Sequence, residues 1–180
     1  MRVITIAAIA AAAAVGIASA AFMLYAPGAT DADVGDPPAT ADNSTNTNIP
    51  KPVNGYKQIN VTVNGIRLVT DIASTGDQRS KGLAVKDDLK ENEAMLFVFS
   101  KENEYGFWMK DMKFPIDIIW LDSDRKVVHV EHSLDPCGPD SCPIYEPDGD
   151  ALYVLETVAG FAEQYDVVEG TLIEFDPALI

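Results

Sequence analysis

A chain of 180 residues has room for one domain with appendages, and its 47% hydrophobic content, inflated by an Ala-rich start, suits a single core. Its 28 acidic against 13 basic side chains give a formal charge of −15, and leaving out residues 1–30, whose one charged side chain is Arg2, makes it −16. That balance excludes a cationic patch able to neutralise nucleic-acid phosphates and opposes adhesion to anionic lipid headgroups, so nucleic acid is not an expected partner and the charge serves solubility.

Residues 3–25 hold no charged side chain. At 1.5 Å per residue they make a helix of about 34 Å, enough to cross a hydrocarbon core of about 30 Å. Arg2 precedes the run and Asp31, Asp33 and Asp36 follow it, so the positive-inside bias places the rest of the chain outside the cytoplasm. Ala18-Ser19-Ala20 fits a cleavage site, while the apolar run continues through Phe22, Met23 and Leu24. Residues 1–26 are therefore expected to be a signal anchor or a signal peptide, the retained anchor being preferred, and the protein to be membrane-anchored or secreted. Residues 27–52, rich in Pro, Asp, Thr, Asn, Ala and Gly, are expected to be a disordered linker with a root-mean-square span of about 25 to 30 Å.

Within 53–180, Ile59, Val61 and Val63 alternate with polar residues, Asn64-Gly65 follows, and Ile66, Leu68, Thr70 and Ile72 alternate again. This predicts a β-hairpin with a type I′ turn. Asp77-Gln78-Arg79-Ser80-Lys81 running into Gly82 predicts a short helical turn closed by a left-handed residue. Strands are expected over residues 95–99, 106–110, 116–121, 126–131, 151–157 and 171–175. A short helix carrying Val158, Phe161, Ala162 and Tyr165 separates the last two. With about eight strands, one or two short helices and no long helix between strands, a parallel α/β sheet is disfavoured. The expected fold is mainly β, a sandwich or distorted barrel, preceded by the N-terminal membrane helix.

Trp108, with a large ring and one N–H, suits stacking on a sugar or another flat ligand, against the competing role of core packing. In an extended segment Phe107 and Met109 share one face and Trp108 takes the other, so one of these faces is expected to line a cleft, and Met109 joins Trp108 as a ligand-binding candidate. Asp117 sits among Ile116, Ile118, Ile119 and Trp120, and Glu156 ends the run Tyr153-Val154-Leu155. Buried carboxylates need partners, since an unpaired one costs several kcal/mol. In the preferred arrangement Arg79 bridges to a carboxylate and pins the short turn to the sheet. In the alternative, Asp117 and Glu156 form a catalytic acid/base pair near Trp108, as in glycoside hydrolysis. Arg79 and Glu156 are also carried as ligand-binding candidates.

Cys137 and Cys142 enclose Gly138-Pro139-Asp140-Ser141 and are expected to form a disulfide in an oxidising compartment, fixing a rim by roughly 2 kcal/mol. A metal site built from these thiols with His129 and His132 is set aside, because the two histidines take opposite faces of a strand. Neither a metal nor a cofactor is expected, and the sequence holds no Gly-rich phosphate loop, Ser nucleophile elbow or zinc-protease helix.

Ordered blocks carry a family resemblance: Arg79-x-x-Gly82-Leu83, Met95-Leu96-Phe97-Val98-Phe99, the stretch from Phe107 to Trp120, and Tyr153-Val154-Leu155-Glu156-x-x-Ala159-Gly160. From about residue 56 to 176 the chain resembles the domain of unknown function 192 family. It departs from the usual pattern at Ala84, where Met is common, at Ala94, where Gly is common, and at Asp111, where Asn is common. The resemblance implies a compact, mostly β domain, often found outside the cytoplasm, and supplies no catalytic residues. The functional expectation is a module that binds a small molecule or cell-surface glycan through a cleft near Trp108, Arg79 and Glu156. The alternatives are a carbohydrate-active hydrolase or lyase using the paired carboxylates, and a structural envelope protein.

Overall fold

The computed structural model describes residues 55–138 and 140–180. The expected anchor at 1–26 and linker at 27–52 lie outside these residues. Among the described residues no helix is long and apolar enough to cross a membrane.

β1 (Lys57–Val63) and β2 (Ile66–Ala73) pair antiparallel around Asn64 and Gly65, whose φ values of 46° and 83° are both positive, as a type I′ turn requires. β3 (Glu93–Asn103) lies parallel to β2, so the chain crosses over between them. That crossover holds α1 (Gly76–Lys81) and a 3-10 turn (Gly82–Val85). Thr75 and Gln78 form a capping box at the start of α1. Gly82 ends it at φ 49° and ψ −147°, outside the expected left-handed helical region, in a conformation that suits glycine. A Cβ there would stand 3.3 Å from the Phe97 ring, so the bare backbone lets the crossover settle onto the sheet.

The expected strand at 106–110 shrinks to β4 (Phe107–Trp108), which pairs with β7 (Ile144–Tyr145), a strand the alternation did not reveal. β5 (Ile116–Leu121), β6 (Val127–Leu134), β8 (Ala151–Val158), α2 (Phe161–Gln164) and β9 (Ile173–Glu174) complete the order. Seven strands form one sheet in the order β6-β5-β8-β3-β2-β1-β9, with β4 and β7 as a separate pair. All pairs in the large sheet are antiparallel except β2 with β3.

The large sheet curls into a half-barrel, which replaces the sandwich alternative. Amides of Val127, Gly170 and Ile173 donate to carbonyls of Thr171, Val127 and Arg125 at 2.9, 2.8 and 2.9 Å, tying the β6 edge to the segment leading into β9. Val61, Leu68, Leu96, Ile119, Leu155, Val127 and Ile173 form one apolar cluster. Because both sheet edges contribute to it, it fills the concave side. Strand alternation sends Met95, Phe97, Ile118, Trp120 and Val154 to the other face, where Leu83 of the crossover and Met109 cover them. The two faces together make a mainly β domain with a core on each side of its central strands.

Candidate functional site

The crossover and the β4 segment both lie over the second face, and between them runs a cleft of about 750 Å3. α1 and the 3-10 turn form one wall, carrying Arg79 and Leu83. The opposite wall runs from Tyr105 through Trp108 to Met112, while Phe97 and Glu156 of the central strands form the floor. Aromatic packing sets the second wall: Phe107 meets the rings of Phe97 and Trp120 edge-on at 4.9 and 5.9 Å. Trp120 in turn donates its Nε1–H to the Tyr105 carbonyl at 2.8 Å. Gly106 allows this wall to approach β7, since a Cβ there would come within 2.7 Å of Ile144 Cγ2.

Trp108 points away from this packing and remains 54% exposed, with Lys110 Nζ 5.5 Å from its ring centroid. Met109, the neighbour on the opposite face, is fully buried and lines no part of the cleft. It is a core residue, as the alternation of the two faces demands. Asp111 turns the chain at φ 61°, a left-handed position that Asn and Asp tolerate best, which accounts for either residue suiting this corner.

Arg79 does not bridge to a carboxylate. Its Nη1 donates to the carbonyls of Ser74 and of Val98, the latter at 2.9 Å, and its guanidinium lies 5.1 Å from the Phe99 ring centroid. The pinning expected of Arg79 is thus carried out on backbone oxygens and an aromatic face. Asp117 finds its partners elsewhere. It is fully buried and accepts from the amides of Ser133, Gly160 and Ala162 at 2.7, 3.0 and 2.7 Å, joining β6 to the turn that starts α2.

Glu156 has no such company. It stands in register with Met95 on one side and Ile118 on the other, and its Oε2 is buried without a hydrogen-bond partner. Burial pushes its carboxyl up to about 8, so at neutral pH it is a neutral acid with one O–H to donate. Asp117 is paired with Thr157, one residue along β8, so the two carboxyls project from opposite faces of the sheet. The structure brings Trp108, Arg79 and Glu156 to one cleft and leaves Asp117 in the opposite core, so no acid/base pair forms. As cleft residues, Lys110 and the stacked pair Phe99 and Tyr105, whose centroids lie 3.6 Å apart along the cleft, were not foreseen from the sequence, and Gly82 was foreseen only as the end of the short helix.

Cys137 and Cys142 form the expected disulfide. The Cys137 amide donates to the Met109 carbonyl at 3.2 Å, fastening this loop behind the Trp108 wall. The thiols are therefore not available to the histidines. His129 instead contacts Asp148 at 3.2 Å and Glu131 at 3.5 Å, and His129, Asp148 and Glu169 bring one ligand-type atom each within 4.8 Å of one another. The last two are exposed carboxylates.

A curled, mainly β domain with a cleft between its crossover and a short two-stranded ribbon bearing aromatic residues is the class this geometry defines. The chain belongs to the domain of unknown function 192 family, described as an uncharacterised ACR, which matches residues 59–175. It is similar to a UPF0127 protein of Thermococcus gammatolerans, 35% identical over 108 residues, or 59% of this chain and 65% of that relative. It also resembles UPF0127 protein TK1120 of Thermococcus kodakarensis, at 32% identity over 59% of this chain and 64% of the relative. The chain thus spans slightly less than two thirds of the length of these relatives. Among solved structures, a Novosphingobium aromaticivorans protein of unknown function has a TM-score of 0.62 at 29% identity, over 69% of this chain and 90% of that one. A Sinorhizobium meliloti 1021 protein, provisionally described as a transcription regulator, has a TM-score of 0.61 at 25% identity, over 66% of this chain and 94% of that one.

Proposed function

We propose that the protein is a binding module, exported and either membrane-anchored or secreted, that takes a small molecule or the terminal unit of a cell-surface glycan into the cleft beside Trp108. The observation that carries this reading is the combination of an exposed indole at the mouth with a buried, unpartnered carboxyl at the floor. A ring stacking on Trp108 would cover apolar surface now left to water, and a polar group reaching Glu156 would supply the hydrogen bond that the fold withholds. The uncharged run at 3–25 with its charge bias supports placement outside the cytoplasm. A hydrolase built on paired carboxylates loses its basis, because Asp117 and Glu156 share no face. The description of the Sinorhizobium neighbour belongs to that protein; the charge of −15 here opposes contact with a phosphate backbone.

Thermal unfolding of the full chain against envelope sugars, amino acids, nucleotides and divalent metals tests the proposal. A ligand at 100 times its dissociation constant adds about 2.7 kcal/mol of stability, a shift of several degrees. The expected result is a shift with one class that disappears in Trp108→Ala while that variant still unfolds cooperatively. A flat response across the panel overturns the proposal.

A further inference from the structure

Charge divides the cleft from the rest of the chain. Acidic side chains outnumber Lys and Arg by 28 to 13 overall, whereas the cleft is lined by Arg79, Lys81 and Lys110 against two carboxyls, Asp111 and Glu156. Lys81 is engaged by Asp77 at 2.8 Å, while Arg79 and Lys110 make no ion pair among the described residues. Arg79 spends one nitrogen on backbone carbonyls, and Lys110 sits on an indole that adds no charge of its own. In a strongly acidic protein, two cations left unpaired in one concave, aromatic site form a local positive potential with low-dielectric walls, which draws anions and repels cations.

We infer that the ligand is a small organic anion, a carboxylate borne on a ring or another flat apolar body, with the ring on Trp108, the charge facing Arg79 and Lys110, and an oxygen accepting the Glu156 O–H. The inference rests on the binding reading above and narrows it to one chemical class. The floor supports it independently of the rim. Glu156 belongs to the cleft lining while its Oε2 is buried and unpartnered, and a neutral carboxyl in that position is a donor to an anion rather than a repulsive charge. A carboxylate ligand is an acceptor at every oxygen, so it complements both the rim cations and this O–H. A cationic ligand would face Arg79 and Lys110 without a compensating ionised group other than Asp111.

Matched pairs of probes separate this inference from the reading beneath it. Benzoate against benzamide, and glucuronate against glucose, are titrated into the full chain by calorimetry or by Trp fluorescence at low salt. The anion of at least one pair is expected to bind about ten-fold more tightly than its neutral partner, with an advantage that shrinks as salt rises. Lys110→Gln, a change at an exposed side chain, is expected to cut the anion's affinity several-fold and leave the neutral partner's unchanged. Raising the pH from about 6.5 to about 9 ionises Glu156 and is expected to weaken anion binding, and Glu156→Gln, which keeps a donor, to remove that weakening. The ionisable groups that line the cleft with Glu156 are Arg79, Lys81, Lys110, Asp111 and Tyr105, so a decline that persists in Glu156→Gln would belong to one of them and would overturn the role given to Glu156. Neutral probes that bind as tightly as the anions overturn the inference and leave a neutral-ring site standing. Failure of all four probes overturns it as well, and the binding module is then judged on the wider thermal panel alone.

Discussion

At the level of single residues, the two carboxyls in the middle of the sheet show how position decides chemistry. Asp117 is met by three backbone amides and serves as the clasp between β6 and the start of α2. Asp117→Ala is expected to cost about 3 to 5 kcal/mol, because three buried donors are orphaned together, and urea unfolding would register it as a lower midpoint. Glu156 behaves oppositely. Its folded-state value of about 8 lies above the 4.5 of an open chain, so between these values the unfolded state releases a proton that the folded state keeps. The stability that Glu156 contributes therefore falls as pH rises from about 4.5 to about 8, and this contribution changes no further above that. By pH 7 the loss is on the order of 3 kcal/mol, and Glu156→Gln should flatten this slope in urea titrations run across the range. A slope unchanged by the substitution would show that Glu156 is already ionised in the fold.

The elements around the cleft explain what was and was not legible in the sequence. The first hairpin could be read because its signal is local: alternation on both sides of Asn64-Gly65 fixes the turn and the register. β4 could not be read correctly because its length is set by a partner, β7, whose two residues have no alternation of their own, and by a gap that only Gly106 leaves open. Gly106→Ala is expected to cost about 1 to 3 kcal/mol and to alter Trp fluorescence, since Ile144 is branched where the new methyl would press and the backbone must shift. The site was half legible for the same reason. Trp108 and Glu156 stood out as aromatic or polar groups in apolar company and Arg79 as a cation on a short turn before Gly82, but whether Arg79 met a carboxylate, and on which face Asp117 fell relative to Glu156, depended on a register between distant strands. The disulfide, a local feature again, was read from spacing. Replacing both cysteines by serine is expected to lower stability by only about 2 kcal/mol, with cooperative unfolding retained, as the closed loop is so short.

Across the whole molecule, curling replaces two-sheet packing as the means of burying a concave face. The three amides that join Val127, Gly170 and Ile173 to the opposite edge remove donors that flat edge strands would expose. Hydrogen exchange should find the amides of Val127 and Ile173 protected nearly as well as those of central strands, and rapid exchange there would mean an open sheet. The strand order has a further consequence for how the protein is made. β8 lies between β3 and β5 yet comes after both in the chain, so during synthesis the two halves it unites exist for a time with their inner edges bare. Those edges carry Met95-Leu96-Phe97 and Ile118-Ile119-Trp120, runs that pair readily with other chains. Until β8 has been delivered, the emerged chain thus carries two unpaired ribbons and a cleft floor without Glu156, a form in which a chaperone would guard the very edges that the finished sheet seals.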